Sequence, residues 1–339
     1  MRLRCRGGVG GGWLAAGLLA LIGLLLWTEP AQAIKPPMTV KLEMDKDQQG
    51  HTRLTGKLTV FYKDRKILIY AFADKQFKPY VQELYTLRGD NVLLDAPSDH
   101  PHHHGVMYGV WVNGINFWEE KDSPGIERSF ELRYYSVGQN EFGMPKAQFV
   151  QTVLWLPPAK HLKAATLADA LLVEQRTLTV TVDERSQEVA LRWDSEFEVG
   201  KKAAKVKLTG NNYDGLGLRL PVVFNHVAKF QNSTGQPFPP GNNTQNVIPA
   251  KWTSVSGSLA GHPVMLALFG RPQNPGGDTL FFTMLDPFAY LSATQGLDKK
   301  PLEYGQGAKF KLSHLLAVYS DNQSGDFLQQ RYSLWLQQP

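Results

Sequence analysis

The sequence predicts an all-β protein, a large antiparallel β-sandwich with few short helices. Three observations lead there. Apolar and polar residues alternate in stretch after stretch, most clearly over 189–199, the pattern of strands with one buried and one wet face. Clusters of Gly, Pro and Asn, notably at 232–246 and 271–278, punctuate these stretches. Helical periodicity is confined to 160–172 and the stretch near 325–335. With 339 residues, 42% of them apolar and 20% charged, the chain can bury a sizeable core, which excludes a disordered or collagen-like protein.

Taken from the N-terminus, Arg2, Arg4 and Arg6 precede an apolar stretch at 13–26, and Ala31-Gln32-Ala33 follows. Basic, apolar and small-residue segments in that order read as a signal peptide over 1–33. The apolar stretch falls short of the roughly 20 residues a spanning helix needs. Without a paired Arg-Arg the expected route is of the Sec type, to the periplasm or the exterior. Membrane contact is expected only through this segment, if it stays uncleaved. Cys5, the single cysteine, lies before the apolar stretch, so the mature chain would have no disulfide, no thiol nucleophile and no Cys-type metal centre. Residues 34–54 read as a linker or first strand, and 55–339 as one sandwich domain. A net charge of +5, with no basic block beyond pairs such as Lys299–Lys300, argues against a nucleic-acid partner.

The strands follow by period two. Leu58, Val60 and Tyr62 share a face, and 67–70 is a short buried-type run. Leu178, Val180 and Val182 precede the turn Asp183-Glu184-Arg185-Ser186, and Val189, Leu191, Trp193, Phe197 and Val199 answer on the far side as a hairpin. Further strands are expected near 79–86, 106–113, 128–136, 147–156, 216–230, 263–269, 279–285 and 308–318.

Four of the nine histidines fall within Asp99-His100-Pro101-His102-His103-His104-Gly105. Pro101 biases His100 toward an extended conformation; if the extended path continues, His102 and His104 point one way and His103 the other. The strand-like 106–112 and the Asn113-Gly114 turn place the cluster at a strand entrance. Imidazole titrates near neutrality and serves as general acid, general base or metal ligand. Asp99 could hold one ring through its Nδ1–H.

Asp99-His100-Pro101-His102-His103, with Gly105 and Asn113-Gly114-Ile115-Asn116-Phe117-Trp118, resembles the signature of the PmoA-like family of bacterial proteins. Gly215-Leu216-Gly217-Leu218-Arg219 and Pro272-Gln273-Asn274-Pro275 resemble two further family segments, and the likeness spans roughly 55–320. The chain departs from the family at His104 and Gly276, where Arg is usual, and at Arg271, where His is frequent. The methane-oxygenase label carried by that family implies a protein of many spanning helices, which this sequence lacks, so methane oxidation is not expected. In organisation the chain resembles the galactose-mutarotase-like supersandwich, which implies a small-molecule carbohydrate as the partner.

On that resemblance His102 and His103 are the expected catalytic residues, with Asp99 orienting a ring. His100, His104, Asn113, Trp118, Glu119 and Arg219 are the expected substrate contacts, and Glu120 and Asp194 are alternative carboxylates. Isomerisation, hydrolysis or elimination at a sugar would suit such a set, with no cofactor. A second expectation is a metal-dependent oxidoreductase or hydrolase holding a divalent ion on His100, His102 and His104. A third is a non-catalytic envelope binding or structural protein. The sequence leaves the oligomeric state open.

Overall fold

The computed structural model describes residues 36–46, 52–73, 77–158, 165–238 and 244–338. The signal peptide expected at 1–33, Cys5 and the first part of the helix expected at 160–172 lie outside the described residues. Where 165–172 is described it holds only a 3₁₀ turn, Leu167–Asp169, capped by Thr166 and running into a strand at Leu172.

All strand pairings among the described residues are antiparallel, in three sheets. The first has nine strands in the order β1 (Met38–Lys46), β2 (Thr52–Tyr62), β3 (Arg65–Ala71), β4 (Tyr80–Leu84), β5 (Val106–Gly109), β13 (Gly215–Arg219), β19 (Tyr290–Thr294), β18 (Leu280–Met284) and β15 (Gln245–Pro249). The second runs β14 (Lys229–Asn232), β16 (Trp252–Leu259), β17 (His262–Gly270), β21 (Lys309–Tyr319), β11 (Glu188–Val199), β10 (Leu172–Asp183), β9 (Pro145–Leu156) and β8 (Ile126–Gln139). A small sheet, β20 (Leu302–Gly305), β12 (Lys205–Thr209), β6 (Trp111–Val112) and β7 (Ile115–Asn116), closes one end.

The sandwich forms because each large sheet has one apolar face to hide. Leu58, Val60, Val106, Tyr108, Leu216 and Leu218 from the first meet Phe149, Leu178, Val180, Leu191, Trp193 and Leu316 from the second, all buried in one core. The β10–β11 hairpin pairs Leu178 with Trp193 and Val180 with Leu191, the register the alternation demands. On the outer face of the second sheet lies α1 (Gly325–Leu336), started by Ser324, whose side chain accepts from Phe327 N. Its buried Leu328, Tyr332 and Trp335 are spaced four and three apart and cover Ala267, Phe269, Ala317 and Tyr319.

Several expectations change. The boundary at 55 cuts through β2; of the two readings of 34–54, linker or first strand, 38–46 is the strand β1, which pairs with β2 from Met38 opposite Tyr62. The strand expected over 216–230 stops at Arg219, because Pro221 breaks it and a 3₁₀ turn, Val222–Phe224, follows. β12, β15, β16, β19 and β20 are additional. Several are short, and β16 carries serines and a glycine on its exposed half. No helix among the described residues is long and apolar enough to cross a membrane.

Inside the sandwich the core also holds charge. Arg176, fully buried, donates from Nε and Nη2 to Glu174 (2.8 Å each), from Nη2 to Glu127 (3.0 Å) and from Nη1 to the Pro79 carbonyl (2.7 Å). Trp155 Nε1 and the Ser195 hydroxyl also donate to Glu174. The knot fixes Pro79, the residue before β4.

Candidate functional site

The outer face of the first sheet carries a second apolar layer of Tyr80, Met107, Trp118, Phe282, Phe288 and Tyr290. Its partner is the histidine segment, which enters from the loop between β4 and β5. The segment is folded and not extended: His100 N donates to Pro97 O, His103 N to His100 O, and Ala96 N to His103 O. These turns bring residues three apart together, so the His100 and His103 rings stack at 4.6 Å and 26°. The expected alternation is therefore replaced. His102 and His103 both lie against Trp118, at 5.7 and 5.2 Å, whereas His104 turns to a different set of partners.

His103 is 2% exposed, its Nδ1 has no hydrogen-bond partner, and Phe288 meets the ring edge-on at 5.0 Å. Burial, reinforced by the neighbouring His102, His100 and Arg219, pushes its imidazole down to about 2, so the ring is neutral at physiological pH. His102 is buried as well, and burial lowers it despite Glu119, whose Oε1 stands 3.7 Å from Nε2. Glu119 also pairs with Lys121 at 2.5 Å. Asp99 is exposed, its Oδ2 lies 3.0 Å from His100 Nδ1, and that contact holds its carboxyl below the usual range. The ring beside Asp99 is thus that of His100.

His104 cannot share in this chemistry. Its Nδ1 meets Asp95 Oδ1 at 2.9 Å, its Nε2 meets Glu120 Oε1 at 3.0 Å, and its ring stacks on Tyr80 at 4.0 Å. Burial opposes a charge here, but the two carboxylates outweigh it and the pKa is raised. With both nitrogens committed, His104 is a fastener for the segment and not a substrate contact. The ligand set His100, His102 and His104 is for the same reason not assembled, and the described residues group no three His, Cys, Asp or Glu side chains as metal ligands.

Arg219 ends β13 on the same face, with Tyr290 opposite it in register. Its guanidinium lies 3.8 Å above the Phe288 ring. The glycines ahead of it have a physical reason: a Cβ on Gly217 would lie 1.9 Å from Tyr290 Oη, and one on Gly215 (φ +107°) would meet the Ala293 carbonyl. Tyr290 can thus lie across β13 and donate to Tyr213 O at 2.9 Å.

Trp118 is buried and is set by Asn116, whose Oδ1 accepts from the backbone N–H groups of Trp118 and Glu119. Lys78, fully buried, donates to the carbonyls of Phe117 and Trp118 at 2.8 and 2.6 Å. Asn113, expected as a substrate contact, sits in its turn at φ +51° with its amide spent on the backbone of Lys205 and Lys207. Asp194 lies on the other sheet, in a polar trough of about 870 Å³ shared with Arg192, Arg271, Asn274 and Ser313. It accepts from Ser313 Oγ at 2.5 Å, and Asn274 is bonded to the Ser313 backbone.

Sequence reasoning missed Phe288, Tyr290 and Lys78, and Phe288 gave no signal. Asp214, directly before Gly215-Leu216-Gly217, is buried, and burial pushes its carboxyl up to about 8.

In comparison with known proteins, no curated protein matches the chain. Among solved structures it is similar to a "putative aldose 1-epimerase" from Klebsiella pneumoniae subsp. pneumoniae MGH 78578, at 10% identity over 88% of this chain and 87% of that one, TM-score 0.47. It is also similar to the GH36 alpha-galactosidase AgaB from Geobacillus stearothermophilus, at 11% identity over 83% of this chain and 41% of that one, TM-score 0.43. An alpha-galactosidase from Lactobacillus brevis matches at 7% identity over 84% and 40%, TM-score 0.41. The chain spans about two fifths of the length of these galactosidases. A family model matches residues 57–333, a range that contains every residue of the site described above. The chain belongs to that family, a family of unknown function (DUF6807).

Proposed function

We propose that the protein binds a carbohydrate against Trp118 and the His100–His103 turn and exchanges a proton with it through His102 and Glu119. One observation carries this reading. Aromatic faces from Trp118, Phe288 and Tyr290 meet polar groups of His100, His103 and Arg219 at one place. A sugar ring offers the matching surfaces, apolar C–H faces with hydroxyls around the edge.

His102 suits the proton better than His103. A ring held neutral and 3.7 Å from a carboxylate can accept a proton while Glu119 stabilises the resulting cation. His103, at about 2, keeps one protonation state throughout the physiological range and serves as a fixed hydrogen-bonding group. Isomerisation, hydrolysis and elimination at a sugar all use such a pair. The PmoA-like resemblance of 99–105 and 113–118 falls on the same segments, and the 1–33 pattern is our ground for placing the protein outside the cytoplasm.

The test is a thermal-shift screen of neutral and acidic sugars, followed by exchange NMR of anomers on every sugar that binds. Wild type is expected to respond to at least one, with turnover lost in His102→Ala and binding weakened in Trp118→Ala. No response from wild type across the panel overturns the proposal.

A further inference from the structure

Among the described residues, Arg176 and Arg219 are the two deeply buried arginines outside α1, and they are treated differently. Arg176 is saturated: Nε, Nη1 and Nη2 all donate to Glu174, Glu127 or the Pro79 carbonyl. Arg219, 1% exposed, has no such set. Its Nε and Nη1 have no partner, and the carboxylate facing it, Asp99, stands 3.9 Å from Nη2. That Asp99 oxygen already lies 3.0 Å from His100 Nδ1, and the Asp99 side chain is 58% exposed. The ring beneath the guanidinium, Phe288, offers only its π face. A buried cation left this incompletely compensated is costly, and a chain that saturates Arg176 shows no general tolerance for it.

Resting on the carbohydrate reading above, we infer that the ligand is an acidic sugar whose carboxylate pairs with Arg219. A planar guanidinium matches a carboxylate better than it matches a single hydroxyl, because two parallel N–H···O bonds can form. One guanidinium beside the neutral His103 ring suits a single negative charge better than a phosphate dianion. Asp99, exposed and only at the limit of pairing distance from Nη2, leaves Nε and Nη1 without an acceptor. A hexuronic acid satisfies these requirements: its ring lies against Trp118 and the His100–His103 turn while its carboxylate completes Arg219.

Calorimetric titration of the wild-type full chain tests this without relying on a variant. The ligands are D-galacturonate and D-glucuronate, their methyl esters, and D-galactose and D-glucose. At least one free acid is expected to bind about tenfold or more tightly than its own ester, with the advantage shrinking as salt rises. In Arg219→Gln, shown folded by its melting transition, acid and ester are expected to bind alike. Equal binding of acid and ester to wild type overturns the inference and leaves the carbohydrate reading standing. So does an acid preference that survives in Arg219→Gln. Failure of every sugar, acidic or neutral, to bind overturns both.

Discussion

His103 makes a prediction that can be worked through from its surroundings. A ring pushed down to about 2 in the folded protein, and titrating near 6.5 when unfolded, binds fewer protons folded than unfolded across that window. Its contribution to stability is therefore fully present above about 6.5 and is lost as the pH falls toward 2. At pH 4.5, two units below the unfolded value and well above the folded one, the loss is about 3 kcal/mol, at roughly 1.4 kcal/mol per unit. The perturbation is His103→Gln, which removes the titration and keeps a neutral polar side chain. The assay is urea denaturation of both proteins at pH 7 and pH 4.5 under one ionic strength. Other groups titrate too. His314, at about 4, acts in the same sense. Glu127 and Asp214, at about 8, act oppositely, contributing below their unfolded values and losing that contribution as the pH rises toward 8. These terms are common to both proteins and cancel in the comparison. Wild type is expected to lose about 3 kcal/mol more than the variant between the two pH values. Parallel losses, within about 0.5 kcal/mol, would show that the ring is solvated or protonated in the folded protein and would refute the reasoning.

Three further outcomes are expected. Arg176→Met leaves Glu174 and Glu127 buried without their cation and should cost about 3–5 kcal/mol in denaturant unfolding, with part regained in the double variant Arg176→Met/Glu174→Gln; a loss under about 1 kcal/mol would contradict a buried ionic knot. Gly217→Ala drives a methyl into Tyr290 Oη and should destabilise by about 1–3 kcal/mol, less in a Tyr290→Phe background; equal costs in both backgrounds would place the strain elsewhere. If the 1–33 segment is a cleaved leader, protein recovered from the periplasm or the medium begins at Ile34 by intact mass and shows no titratable thiol; a retained Met1 or one thiol per chain would remove that reading.

What the sequence made legible followed from burial on one face. The β10–β11 hairpin is written in its alternation, and α1 in the spacing of Leu328, Tyr332 and Trp335. The start of β10 was missed because Glu174 and Arg176 occupy inward positions where alternation expects apolar residues, and only their mutual pairing makes those positions buried. The histidine segment was visible as composition. Its shape was not, since the Pro97–His103 turns are set by backbone hydrogen bonds with no periodic signal. His104 shows the limit most clearly. Its role depends on Asp95 and Glu120, and nothing in local sequence distinguishes a ring gripped by two carboxylates from one left free.

The pairing of β5 with β13 joins Val106 to Leu218, strands separated by more than a hundred residues of intervening chain. The histidine turn hangs from one of these strands and Arg219 from the other, and the ring of Phe288 comes from later still. Closing so long a loop is slow and is repaid only when the whole sheet zips together. The site therefore comes into being late, as a by-product of finished folding. A chain interrupted before Gly215 would carry every histidine of the cluster and have no arginine to set beside them, with the edge of β5 left bare. Ligand binding at this place would report a fully assembled sheet, and an incompletely folded molecule leaving the ribosome would be silent toward it.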